Sequence, residues 1–81
     1  MAPRDRLIEA LRAECPYKLD YHGSAPPFNV IITADASRGY VKGFAIRETI
    51  TAQNYAERLA FYLALMRKQL RQIAPYMENR T

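Results

Sequence analysis

The sequence predicts an α+β domain in the order α-β-β-β-α: a three-stranded antiparallel sheet with two helices packed on one face. Three observations predict it. Leu7, Ile8, Leu11 and Cys15 share one helical stripe that ends at Pro16. Three runs with the periodicity or residue types of strands follow, separated by turn chemistry. A single apolar seam then continues without a break to Pro75.

Each element has its own justification. Pro3 suits a first helical turn, Glu9, Asp5 and Arg12 lie opposite the apolar stripe, and Pro16 disfavours helix at the residue before it. The first helix is therefore expected over 4–14. Tyr17, Leu19 and Tyr21 alternate with Lys18 and Asp20, as in a half-buried strand whose aromatic rings join the core. Residues 22–27, with Gly23, Pro26 and Pro27, read as a loop. Phe28, Val30 and Ile32 share one face of a second, β-branched strand. Residues 35–39 read as a hairpin loop and 40–46 as a third strand, whose alternation breaks at Gly43, the place for a bulge or a close backbone approach. Thr49 or Thr51 can cap the last helix. There Ala56, Leu59, Leu63, Met66, Leu70 and Ile73 form the seam, with Tyr55 and Tyr62 at its borders. The expected core is Leu7, Leu11, Leu19, Phe28, Val30, Ile32, Leu59, Leu63 and Met66. One domain is expected over 1–76, with 77–81 as a frayed tail.

Composition narrows the function. The 81 residues carry a formal net charge of +4, compatible with phosphate-bearing partners. The single Cys15 and single His22 cannot form a disulfide or, alone, a zinc site. No catalytic triad or glycine-rich phosphate loop is present, so the chain is expected to be non-catalytic, with no cofactor and no metal. No apolar stretch approaches the roughly 20 residues of a membrane span, and the N-terminus lacks the apolar region of a signal peptide. The chain reads as intracellular and cytoplasmic, without a membrane partner.

The residues also carry a resemblance. Pro3, Leu7 and Glu9 in the first helix; Pro16, Tyr17 and Leu19 opening the first strand; Gly23, Pro26, Pro27 and Phe28 leading into the second; and the run 52–60 with its Asn54 and Leu59-Ala60 step resemble the double-stranded-RNA-binding domain family over residues 3 to 66. The resemblance implies recognition of A-form shape through 2′-hydroxyls and phosphates. The implied contact residues are Glu9 and Arg12 on the first helix, His22, Gly23 and Pro26 in the first loop, and Arg47 and Gln53 near the start of the last helix. The chain departs from the family there. The loop is shorter, His22 precedes the glycine, and the positions of the family's lysine cluster hold Thr49, Ile50 and Gln53. Lost phosphate contacts weaken binding and its salt dependence, although Arg47, Arg38 and Lys42 add nearby charge.

The last helix offers an alternative. Phe61 and Leu65 project away from Leu59, Met66 and Leu70 on a helical wheel, rimmed by Arg58, Lys68 and Gln72. Some members of the family mediate protein association. The alternative expectation is thus a docking or dimerisation module that has lost RNA binding and uses Phe61, Leu65, Arg58 and Lys68 to hold a protein partner or a second copy.

Overall fold

The computed structural model describes residues 1–35 and 40–78. In chain order the elements are α1 (Pro3–Glu14), β1 (Lys18–His22), β2 (Phe28–Asp35), β3 (Tyr40–Ile46) and α2 (Tyr55–Glu78). The strands form one antiparallel sheet in the order β1-β2-β3. The predicted α-β-β-β-α architecture is the one observed. The interior of the expected hairpin loop, 36–39, including Arg38, and the last three tail residues, 79–81, lie outside the described residues. No described helix is long and apolar enough to cross a membrane.

Strand alternation sorts the sheet into two faces. Leu19 pairs with Ile32, Tyr21 with Val30 and Phe28 with Ile46, and these side chains turn toward the helices. Lys18, Asp20 and His22 occupy the alternate positions of β1. Ile31 pairs with Gly43, where a Cβ would overlap the Val30 carbonyl oxygen. Gly43 is therefore the close backbone approach its sequence context suggested. The register shift sits instead in β2, between Thr33 and Asp35, where Ala34 is the extra residue.

The core is Leu7, Ile8, Leu11, Leu19, Phe28, Val30, Ile32, Ile46, Ile50, Tyr62, Met66 and Ile73. Leu59 and Leu63, expected there, are only half-buried against it, and Ala56 is exposed. Tyr62, expected at the border, is 3% exposed. Two contacts mark the flanks of α2. Arg67 reaches Glu14 of α1 at 2.7 Å, while Tyr62 stacks on Phe44 of β3 at 5.9 Å between ring centroids. α2 thus packs against α1 on one side and β3 on the other.

At the start of α2 the cap expected of Thr51 is present, and at its far end the helix outruns the expected stop at Pro75. Regular helix begins at Tyr55, after a turn closed by reciprocal hydrogen bonds. The Thr51 N–H donates to Asn54 Oδ1 at 2.8 Å, and the Asn54 N–H donates to Thr51 Oγ1 at 3.2 Å. The Asn54 carbonyl then accepts from the Arg58 N–H at 2.9 Å, which starts the helical ladder. At the other end α2 passes Pro75 and reaches Glu78. A proline here forfeits one bond, to the Arg71 carbonyl, and fully buried Ile73 anchors the preceding turn.

Candidate nucleic-acid interface

Three chain segments meet at one corner of the domain. Pro3 and Arg4 from the start of α1, Ser24 and Pro26 from the β1–β2 loop, and Thr49 and Ile50 from the approach to α2 line a groove of about 210 Å³. Phe28 also lines it, at the point where β2 begins. Each segment is held by local chemistry. Gly23 adopts φ +118°, and a Cβ there would lie 2.8 Å from the Phe28 Cβ, so glycine is needed for the loop to turn into β2. The peptide bond between Pro26 and Pro27 is cis. Asn54 Nδ2 donates to the Thr49 carbonyl at 3.0 Å, which ties the third segment to the α2 turn.

Arg4 joins the first two segments. Its Nη1 donates to the Ser24 carbonyl at 2.7 Å, and its guanidinium lies 5.6 Å from the Phe28 ring centroid and 5.7 Å from that of Tyr21. Its Nε is buried without a hydrogen-bond partner. The nearest carboxylate, Asp5, is 3.6 Å away and accepts the Tyr21 hydroxyl at 2.7 Å. That hydrogen bond is the main reason the Tyr21 phenol is pushed up from its ordinary value, with burial and the Asp5 charge adding to it.

The predicted RNA-contact residues distribute unevenly around this corner. Pro26 lines the groove. Glu9 is exposed on α1 but pairs with Arg12 at 2.6 Å. Arg12 also donates through Nε to the Leu19 carbonyl at 3.1 Å and lies 5.9 Å from the Tyr21 ring centroid. Its guanidinium is thus engaged in joining α1 to β1. His22 is exposed and alternates with Tyr21, which turns toward α1, so the two point to opposite faces of the sheet. Gly23 serves backbone geometry. Arg47 and Gln53 are exposed on either side of Ile50, and no carboxylate of a described residue pairs with Arg47. Ile50 itself, one of the positions aligned with a lysine, is 7% exposed and belongs to the core. It is a plug beneath the groove, where no phosphate contact can be made.

The proposed partner surface on α2 is also narrower than its sequence suggests. Phe61 is 51% exposed, and its ring meets Tyr62 edge-to-face at 5.0 Å. Leu65 is half-buried against the core instead of facing solvent: on the helical wheel it lies between Phe61 and Tyr62, at the edge of the buried face. Arg58 is bound by Glu48 at 2.7 Å and Glu57 at 2.6 Å, and its guanidinium lies 5.2 Å from the Phe61 ring centroid. Those carboxylates hold its pKa above the ordinary value. In turn the Arg58 hydrogen bond, helped by the Tyr62 hydroxyl, holds the Glu48 carboxyl below its usual range. Lys68 and Gln72 are exposed.

Sequence reasoning missed Arg4, Ser24 and Thr49 as groove residues, and Asp5 and Glu48 as the carboxylates that fix their neighbours. The contact between Arg4 and Ser24 spans 20 positions, and no local pattern announces it. Among the described residues no group of three or more His, Cys, Asp or Glu side chains could hold a metal. The chain matches no protein-family model, no curated protein and no solved structure, so its function has to be argued from this corner and the outer flank of α2.

Proposed function

We propose that the chain is a non-catalytic domain of the double-stranded-RNA-binding type, which grips double-stranded or structured RNA weakly and by shape within a cytoplasmic RNA-associated assembly. One observation carries this reading: the start of α1, the β1–β2 loop and the approach to α2 converge on a single groove. The family resemblance assigns contacts with the backbone and 2′-hydroxyls of an A-form duplex to α1, this loop and the start of the last helix; of the residues it implies, Pro26 lines the groove, while Glu9 and Arg12 lie further along α1.

The chemistry available there is modest. Arg47 offers an exposed cation that no described carboxylate pairs with, and the first turn of α2 offers the partial positive charge of a helix N-terminus. Glu9 retains one carboxylate oxygen free of Arg12 for a 2′-hydroxyl. Arg12 and Arg4 are committed to the protein itself, and Ile50 to the core. Few phosphates would be neutralised, so affinity should be low and the salt slope shallow, about 0.9 per phosphate engaged on a duplex.

Titration of a fluorescent RNA duplex of about 20 base pairs, longer than the roughly 16 that such a domain spans, tests the reading. Run at two salt concentrations with a single-strand control, it should show duplex-selective, salt-sensitive binding that Arg47→Glu weakens. Equal affinity for single and double strands, or none at micromolar protein, refutes it.

A second reading has its own support in the exposure of Phe61. In that reading α2 docks a protein partner or a second copy, and the RNA surface has lapsed. Self-association that Phe61→Glu abolishes, in a chain with no duplex preference, would favour it.

A further inference from the structure

We propose that Arg4 determines selectivity for A-form over B-form duplexes by holding the β1–β2 loop at a fixed position relative to α1; this rests on the RNA reading above. The loop is constrained at two neighbouring residues by different means. At Gly23 the backbone leaves no room for a Cβ beside Phe28. At Ser24 the carbonyl accepts the Arg4 Nη1–H at 2.7 Å. The arginine is fixed in turn, with its guanidinium 5.6 Å from the Phe28 ring centroid and 5.7 Å from that of Tyr21. Its Nε is buried.

A duplex read by shape is measured by the distance between contacts. A-form RNA presents a wide, shallow minor groove, and B-form DNA a narrower one. A loop held at one distance from α1 fits one of these and misses the other. A loop released from α1 adapts to both and must be ordered again on binding. Arg4 acts through the loop, so it is a positioning residue with no phosphate of its own.

The test uses the full chain as wild type, Arg4→Met and Arg4→Lys. Each is titrated with an RNA duplex and a DNA duplex of the same sequence at two salt concentrations, after a thermal melt confirms folding. Arg4→Met should lose about tenfold in RNA affinity, the scale of re-ordering one or two side chains and their loop. Its salt slope and DNA affinity should stay unchanged, so that the RNA-to-DNA ratio falls. Arg4→Lys should be equally impaired, because lysine keeps the charge without the flat face and fork of a guanidinium.

Wild-type affinity in Arg4→Lys, or a salt slope lowered by about one in Arg4→Met, would make Arg4 a phosphate contact and overturn the proposal. Unchanged affinity, or equal loss on both duplexes, overturns it as well. A wild type without RNA preference fails at the earlier step, and the RNA reading falls before any variant is compared. Should Arg4→Met not fold, Arg4→Lys, which keeps the charge, carries the comparison alone.

Discussion

Replacement of Phe61 by alanine separates the surface role of this residue from a core role. With Phe61 51% exposed, about half of the ~1.5–3 kcal/mol for full burial of a phenylalanine is at stake. The edge-to-face contact with Tyr62 adds about 0.5–1.5 kcal/mol, and the higher helix propensity of alanine returns about 0.5 kcal/mol. The expected net loss is about 1–2 kcal/mol. Met66, fully buried on the same helix, provides the internal standard, since truncating such a residue costs about 2–5 kcal/mol. Urea unfolding of wild type, Phe61→Ala and Met66→Ala gives both losses in one assay, and sedimentation of the same samples over a wide concentration range gives their mass. A Phe61→Ala loss equal to that of Met66→Ala would place the ring in the core and refute the assignment of this flank as open. A small loss together with reduced self-association would identify Phe61 as a contact residue of the second functional reading.

Other substitutions probe the sheet and the electrostatics. In Gly43→Ala the new Cβ would meet the backbone of Val30 and Ile31 instead of a flexible side chain. β2 and β3 must separate locally, at a cost of about 2–4 kcal/mol; at 4–8 °C per kcal/mol for a domain of this size, the melting temperature should fall by roughly 8–32 °C. A melt within a few degrees of wild type would contradict the close approach. The depressed pKa of Glu48 sets an acid dependence. Because the folded protein holds its proton less tightly than the unfolded chain does, its contribution is whole above the ordinary value of 4.5 and disappears as pH falls through the lower, folded value. Glu48→Gln should therefore be less stable than wild type at neutral pH, and the two should converge in acid. A gap that stays constant well below pH 4.5 would exclude the ion pair with Arg58 as its source.

What the sequence made legible was whatever local chemistry decides. Alternation and turn residues announced β1 and β2, and Pro16 disfavoured any continuation of α1 beyond it. Long-range geometry was not legible. The leucine spacing of α2 pointed to Leu59 and Leu63, but α2 packs against α1 on one flank and Phe44 on the other, and Tyr62 is the more deeply buried residue. The hydroxyl of Tyr62 disguised a core position, because its partner Glu48 lies in another segment. Residues 47–54 have no periodicity to read. That is why Ile50 was aligned with a surface lysine and why the Thr51–Asn54 turn was taken into the helix. In the candidate interface Pro26 was found by its loop chemistry, whereas Arg4 becomes visible only once the loop is folded back on α1.

The tyrosines described above also make the domain its own spectroscopic probe. The chain has no tryptophan, so its near-ultraviolet signal comes chiefly from tyrosine, and three of the six mark different junctions. Tyr21 bonds Asp5 across β1 and α1, Tyr55 lies under the Arg6 guanidinium across α2 and α1, and Tyr62 stacks on Phe44 across α2 and β3. Single Tyr→Phe variants would each silence one junction and leave the others reporting. The order in which helices and sheet come together during refolding can then be followed by emission and near-ultraviolet dichroism, without an introduced fluorophore.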